Sequence, residues 1–449
     1  MAERALALVA AALLLARPLV AQAPDTVLTL VDARALLQQR SPEYRAALAS
    51  ADAAGENVWS AWGSIIPSVT LQANFSRNEF TTRTYVDPAG PSIELEEPIT
   101  DVSKSAYQAL VFNWQVFQGG SQIFDISAAK SQARAADLGA VARLVQLQSQ
   151  LETQYFEALK QQQLARLSRE LLDARRRDLE LTQARFRIAA VDQTAVLQAE
   201  IEVGRQELEV LRADQALDAA RRELSVMIGL EEDVAYELRD TAAIFDPTTL
   251  DPLRLGRMAR ESNPELARLD AEVDAQNRSL WSARGSWLPR ISLALSLSRS
   301  ENIGEEGSLF ELTPRNTGNN LSLSFSWPLL SGFEKKWRTG QASARLQEAR
   351  HNQVAGLLEV DKEVRSAFEA LVAGYQAVQL QERNVALARE SVRLTTERYR
   401  IGAASYIELQ QATSQATQSE RGLIDARYEF MKTVARLQGA VGRPIVVRR

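Results

Sequence analysis

The chain contains no cysteine. That excludes a disulfide framework, a thiolate metal site, a cysteine nucleophile and a lipid-modified N-terminal cysteine. Histidine is almost as scarce: His351 stands alone, in a polar helical pattern that suits solvation better than catalysis. A basic excess is missing too. Net charge is −5 over 449 residues, so the sequence predicts no nucleic-acid partner. There is no glycine-rich phosphate cradle, and the acidic run Glu231, Glu232, Asp233 reads as a charged linker rather than a hard-metal site. Beyond the N-terminal segment no apolar run approaches the ~18 residues of a membrane-spanning helix. These absences leave no catalytic constellation, and the sequence predicts a non-enzyme with no cofactor and no metal.

What is present begins at the N-terminus. Arg4 precedes the apolar run "ALALVAAALLLA" (residues 5–16), followed by "RPLVAQAPD". About twelve apolar residues are too few to cross a bilayer but suit a secretory signal peptide. Small residues at Ala21 and Ala23 offer a cleavage site. Residues 1–23 are assigned to the signal peptide, with cleavage after Ala21 also open because Pro24 is awkward for the peptidase. The mature chain is expected to be exported.

The same passage then occurs twice. Residues 59–76 read "WSAWGSIIPSVTLQANFS" and residues 281–298 read "WSARGSWLPRISLALSLS", 222 positions apart. Ser41-Pro42-Glu43 answers to Asn263-Pro264-Glu265 at the same offset. Further on the offset falls to 213: "FNWQVFQGG" (112–120) matches "FSWPLLSGF" (325–333), and "RFRIAAVDQTAVLQA" (185–199) matches "RYRIGAASYIELQQA" (398–412). A constant offset predicts helices of equal length in the two halves, with the difference absorbed in a loop.

Four segments alternate with period two. Val69, Leu71 and Phe75 are separated by small polar residues. Leu110, Phe112 and Trp114 share a face of a second segment. Ile291, Leu293 and Leu295, and then Leu321, Leu323 and Phe325, repeat the pattern against serines. Each segment is about 9–11 residues, the length of a tilted strand crossing a bilayer, and these twelve side chains are the candidates to face lipid. A half-buried soluble sheet would instead need a cover that the remaining polar, helical chain does not supply. Residues 80–105 and 300–319, rich in Gly, Pro, Asn, Thr and Glu, are predicted as exposed loops.

The rest reads as helix. Residues 24–230 form a first repeat, with short helices, a β-hairpin at 67–117, a long helix at 120–187 and a returning helix at 192–229. Residues 231–262 form an inter-repeat linker or equatorial region. Residues 263–449 form the second repeat, with an entering helix, a hairpin at 288–330, a long helix at 334–400 and a returning helix at 405–442. About 65–70 residues at ~1.5 Å each give roughly 100 Å of helix, longer than a compact domain needs. In hydrocarbon a β structure must close on itself, and four strands are too few when the smallest single-chain barrels use about eight. Several chains are therefore expected to pool their strands.

The two-fold repeat, the "N/S-P-E" openings, "WPLLSG" after a strand and "RYRIGAASYIELQQA" resemble the TolC family of outer-membrane efflux and export channels, over essentially the whole mature chain. The resemblance implies an α+β membrane protein: a homotrimer with a twelve-stranded β-barrel, four strands per protomer, in the outer membrane of a Gram-negative-type cell. A long α-helical barrel and an equatorial collar would continue it into the periplasm. The resemblance also implies two partners, a periplasmic adaptor and an inner-membrane transporter, beside the outer-membrane lipid. In the family, the matched passages around residues 185–194 and 398–407 are hairpin turns at the periplasmic tip. Ile188, Ala189, Ala190, Val191, Ile401, Gly402, Ala403, Ala404 and Ser405 are thus candidates for adaptor contact, with Ala189 standing where the second copy has Gly402. Glu408 and Gln411 occupy positions where relatives carry a ring of carboxylates, so Glu408 is the candidate gate residue and Gln411 a departure that leaves the gate less acidic. Two functions stay open on the sequence: a passive exit duct for efflux or type I secretion, and a periplasmic coiled-coil scaffold that never inserts. A self-inserting pore-forming toxin fits the long paired helices poorly. The cargo is not specified by the sequence.

Overall fold

The structure, a computed structural model, describes residues 27–85, 90, 93–188, 191–230, 236–239, 243–303 and 316–445. In chain order these form β1 (Val27–Leu28), α1 (Leu30–Arg40), α2 (Pro42–Gly63), β2 (Ser68–Tyr85), β3 (Ile93–Gln118), α3 (Ser121–Arg187), α4 (Gln193–Ile228), β4 (Glu237–Leu238), α5 (Pro252–Ser262), α6 (Pro264–Gly285), β5 (Arg290–Ile303), β6 (Asn316–Ser326), α7 (Glu334–Arg400) and α8 (Tyr406–Val441). The helices match in pairs: α1 and α5 have 11 residues each, α2 and α6 22, α3 and α7 67, α4 and α8 36. Residues 231–262, expected as a linker, contain β4 and α5. Since α5 starts 222 positions after α1, the duplication reaches upstream of Asn263. Among the described residues no helix is long and apolar enough to cross a membrane.

The hairpins differ from the sequence expectation. β2 and β3 run 18 and 26 residues, and β5 and β6 run 14 and 11. Much of 80–105 and the ends of 300–319 are therefore strand, not loop. The β-branched residues Thr81, Thr82, Ile99 and Thr100 pair directly across the first hairpin, as their side chains favour on a pleated surface. Pro98, which argues for a loop, lies beside a register shift between Thr82 and Thr84, a place where a missing N–H is tolerated.

The chain divides into two compact units, each described by itself. One comprises Ala47–Ala142 and Pro264–Glu359. Its sheet has the order β2-β3-β5-β6, antiparallel throughout, which leaves β2 and β6 as edges. The helix-to-strand turns are alike in both copies. Ser64 Oγ donates to the Ala61 carbonyl and Ser286 Oγ to that of Ala283, each at 2.6 Å. Trp114 Nε1 donates to the Ile65 carbonyl at 2.8 Å, and its counterpart Trp327 Nε1 to that of Trp287 at 3.2 Å. Gly119 takes φ +64°, and a Cβ there would sit 2.0 Å from the Gly285 oxygen, so only glycine allows the chain to pass α6 at this point.

The other unit comprises Met1–Ala46, Arg143–Asn263 and Val360–Arg449. Leu28, Leu37, Leu151, Tyr155, Leu159, Leu224, Ile228 and Tyr428 form its main apolar core. The parallel pair β1–β4 is fixed to α3: Tyr155 Oη lies 2.9 Å from both the Leu28 and Arg239 carbonyl oxygens. Gln162 exchanges two hydrogen bonds with the Leu238 backbone, at 3.0 and 3.1 Å. Glu157 gathers Lys160 and Lys432 at 2.8 and 2.9 Å. Burial alone would raise its carboxyl, but hydrogen bonds from Lys160, Lys432 and Gln161 outweigh that and hold it down at about 2.

Candidate functional site

Directly opposite residues of an antiparallel pair project to the same face. Reading across the sheet, Val69 meets Phe112, then Leu295, then Leu321. Leu71 meets Leu110, Trp114 meets Leu293 and then Leu323, and Ile291 meets Phe325. Phe75 follows Leu71 at even spacing. All twelve predicted apolar side chains thus share one face, and Leu71 and Leu323 are 77% and 71% exposed within the single chain. On the opposite face Ser68, Asn113, Ala294 and Ser322 form one row, and Thr70, Val111, Ser296 and Asn320 another. Ser76 and Ser105 bond through their hydroxyls at 2.6 Å. Between Arg290 at one end and Ser76–Ser105 at the other, that face carries hydroxyls, amides and small apolar groups, and farther along β2 and β3 it continues into Phe80 opposite Asp101.

The apolar face has two borders. At one end Arg77 lies opposite Lys104, and Arg299 opposite Gln108, so the same face turns charged. At the other end stand the chain's seven tryptophans: Trp59 and Trp62 in the last turns of α2, Trp114 near the end of β3, Trp281 and Trp287 around the end of α6, Trp327 after β6 and Trp337 at the start of α7. All but Trp114 are more than a third exposed. Lys130 lies over Trp62 at 5.1 Å, Arg284 over Trp281 at 4.7 Å and Lys335 over Trp287 at 5.4 Å. Indoles with cations beside them suit the level where hydrocarbon meets headgroup. Apart from Trp114, a candidate to face lipid, these tryptophans receive no site role from the sequence. Their confinement to the strand–helix junctions was the signal for this role.

The predicted tip residues lie at the far ends of the long helices. α7 ends in a Schellman turn: the Ala403 N–H donates to the Arg398 carbonyl at 2.8 Å and the Gly402 N–H to that of Tyr399 at 3.1 Å. Gly402 supplies the left-handed residue, at φ +78°. Ile188 and Ile401 are 75% and 80% exposed, Gly402 and Ala403 are exposed, and Val191 and Ala404 are half-buried. Ala189 and Ala190 lie outside the described residues. Ser405 caps α8, its hydroxyl accepting from the Glu408 N–H at 3.2 Å, while the Glu408 carboxylate accepts from the Ser405 N–H at 2.6 Å. The Ser405 N–H and, at 3.1 Å, the Ser405 hydroxyl both donate to that carboxylate, and these two bonds, the backbone one foremost, hold the Glu408 carboxyl below its ordinary value. Glu408 and Gln411 are both exposed, three residues apart, whereas Tyr406 and Leu409 turn inward onto Ala199 and Tyr399. Arg185, absent from the sequence-predicted site, joins the two tips: its guanidinium lies 4.2 Å from the Tyr399 ring centre and donates to the Tyr399 carbonyl at 3.1 Å. The first copy caps α4 with Asp192, which accepts from the Ala195 N–H at 3.0 Å.

Among the described residues no cluster of His, Asp or Glu has the make-up of a metal site. In one unit the sheet is a wall with unlike faces; in the other the long helices end in capped turns. A family model described as outer membrane efflux protein matches residues 33–230 and 255–443. Nodulation protein T of Rhizobium leguminosarum bv. trifolii is 25% identical over 293 residues, covering 64% of this chain and 61% of that protein, so the chain spans about three-fifths of that relative. The alkaline protease secretion protein AprF of Pseudomonas aeruginosa is 23% identical over 418 residues, covering 92% of this chain and 84% of that one. The crystal structure of the Campylobacter jejuni CmeC outer membrane channel superposes with a TM-score of 0.76 at 16% identity, covering 92% of this chain and 85% of that one.

Proposed function

Because the chain belongs to the outer membrane efflux protein family, a family of outer-membrane channels and not of enzymes, we propose that it is the exit duct of a tripartite efflux or type I secretion system. Its fold is the trimeric one of that family, in which each protomer brings four strands to a twelve-stranded barrel continued by helices. In this reading the duct passively conducts what an inner-membrane transporter loads, and a periplasmic adaptor docks at the hairpin tips.

The observation that carries the duct is the sheet itself. One face is apolar from Val69 across to Leu321, and the other offers hydroxyls and amides to water. A sheet of this kind is stable in lipid only when its edges close. The exposed Ile188 and Ile401 at the tips support adaptor contact there, and the ionised Glu408 supports a cation-favouring mouth where three copies approach one axis. A scaffold that never inserts would leave the apolar face without a role.

The test is chemical cross-linking in intact cells, followed by purification of this chain and identification of what is bound. A periplasmic adaptor and an inner-membrane transporter are expected on it, and their loss is expected when Ile188 and Ile401 are both replaced by Asp. Recovery of neither partner from the wild type would overturn the tripartite assignment.

A further inference from the structure

We propose that Arg290 is a selectivity residue of the duct. In the trimer its three copies ring the helix-side end of the sheet with fixed positive charge. Anionic solutes, carboxylates and phosphates foremost, pass that level more readily than cations. The inference rests on the duct reading above and adds the sign of one filter within it.

The hydroxyl-bearing face of the sheet is neutral over most of its length. β2 from Ser68 to Ser76, β3 from Ser105 to Gln115, β5 from Ser292 to Asn302 and β6 from Asn316 to Ser326 set there only serine, threonine, asparagine, glutamine, glycine, alanine, valine and tyrosine. Arg290 breaks the pattern. It lies opposite Gln118 on one side and Ser326 on the other, both uncharged. Its side chain is exposed, and among the described residues no carboxylate pairs with it. The next charge along this face is Asp101, beyond the Ser76–Ser105 pair.

These surroundings make the charge count. A guanidinium does not titrate in the working range, so the charge is permanent. With no carboxylate built beside it, neutralisation falls to mobile anions in the lumen, and a low-dielectric wall concentrates its field on the water side. β5 is a central strand, flanked by β3 and β6 of the same chain, so closure of the edges β2 and β6 leaves Arg290 open to the lumen. The duplication supplies the contrast. The repeat twin of Arg290, 222 positions earlier, is Ser68, whose hydroxyl donates to the Asn113 carbonyl at 3.4 Å. Around the trimer three arginines therefore alternate with three neutral positions. Their sign is opposite to that of the Glu408 carboxylates, so the two levels select differently.

The test is the reversal potential of single channels in a planar bilayer. The gradient runs from ~100 to ~10 mM KCl, over which the reach of a fixed charge grows from about 10 to about 30 Å. Relative to wild type, Arg290→Gln is expected to shift the reversal potential toward that of potassium, and Arg290→Glu to shift it further. Ser68→Arg, which adds a second set of cations at the twin position, is expected to shift it toward that of chloride. That variant keeps the proposal open to test if substitutions of Arg290 impair assembly. Arg290→Cys, in a chain without native cysteine, is treated during recording with charged methanethiosulfonates. The cationic reagent is expected to return the wild-type value, and the anionic one to move the potential further toward potassium. Channels that conduct with one and the same reversal potential in all these forms overturn the proposal and leave the duct standing. A wild type that gives no conductance steps overturns the duct reading, and the proposal with it.

Discussion

α2 and α6 are one helix written twice, and they meet different surroundings. Each has 22 residues, opens with a proline at its first position and closes on a glycine before the same serine turn. Yet α6 is packed along its length and α2 is open. Intrinsic helix propensity cannot account for this, because the two sequences end alike, Trp59-Ser-Ala-Trp-Gly against Trp281-Ser-Ala-Arg-Gly. The difference is positional. α6 has repeat neighbours on both sides, whereas α2 has one neighbour and waits for another. In a duplicated chain, the interior contacts of one copy therefore describe the missing contacts of the other.

The largest effect is expected where the comparison is sharpest. Gly119→Val puts a branched side chain where the Gly285 oxygen already leaves no room, and does so at a left-handed φ. This variant should be lost from the outer membrane altogether. Gly63→Val, at the open equivalent seam, should leave folded monomer but little trimer on a native gel. Equal trimer yields for the two would break the parallel between the closed and the open seam.

The two faces of β6 give the next contrast. Leu323→Arg places a cation on the apolar face, at a cost of about 2–4 kcal/mol near mid-bilayer, and should lower the yield of assembled trimer. Ser324→Arg, one residue on and on the other face, should assemble normally and change ion selectivity in a planar bilayer. Normal assembly of Leu323→Arg together with failure of Ser324→Arg would reverse the inside and outside of the barrel.

The two tips differ more subtly. Asp192 caps α4 by itself, while Ser405 and Glu408 cap α8 reciprocally. Glu408→Ala removes both the charge and the carboxylate half of the cap, leaving the Ser405 half, and should raise conductance through the mouth. Glu408→Gln removes the charge but keeps a side chain able to complete the cap. If charge repulsion sets the mouth, Gln should raise conductance as Ala does. A Gln variant indistinguishable from wild type would assign Glu408 to the cap alone.

The smallest effect concerns acid. Glu157 in α3 holds Lys160 and Lys432, and its repeat equivalent Ala370 in α7 cannot. Its carboxyl sits at about 2 in the folded chain, against an ordinary value of 4.5. A depressed carboxylate contributes stability that is complete above about 4.5 and fades as pH falls toward 2. The wild-type melting temperature should drop over that window, and Glu157→Ala should show a smaller drop. Identical acid profiles would remove this asymmetry between the halves.

Much of the fold is legible in the sequence because its signals are local. The period-two run from Val69 to Phe75 states its own faces, and the proline-free stretch behind Ser121 states a long helix. Gly402 marks its turn because the Schellman geometry needs a left-handed residue. The extension of β2 and β3 past Phe80 is not legible in this way: pairing of Thr81 with Thr100 is non-local, and Pro98 disguises it. The contact of Arg185 with Tyr399 joins residues from different repeats, which no spacing announces. The cap on α8, by contrast, is written in the sequence as Ser405-x-x-Glu408, where a gate reading of the same glutamate competes with it.

The central claim is that four strands per chain make an incomplete wall, which identical copies complete in the outer membrane. Single-channel recording of the detergent-extracted protein in a planar bilayer tests it most directly. Discrete, reproducible conductance steps that track with the trimer fraction of the preparation are predicted. A preparation that is water-soluble without detergent and gives no conductance steps would contradict the claim.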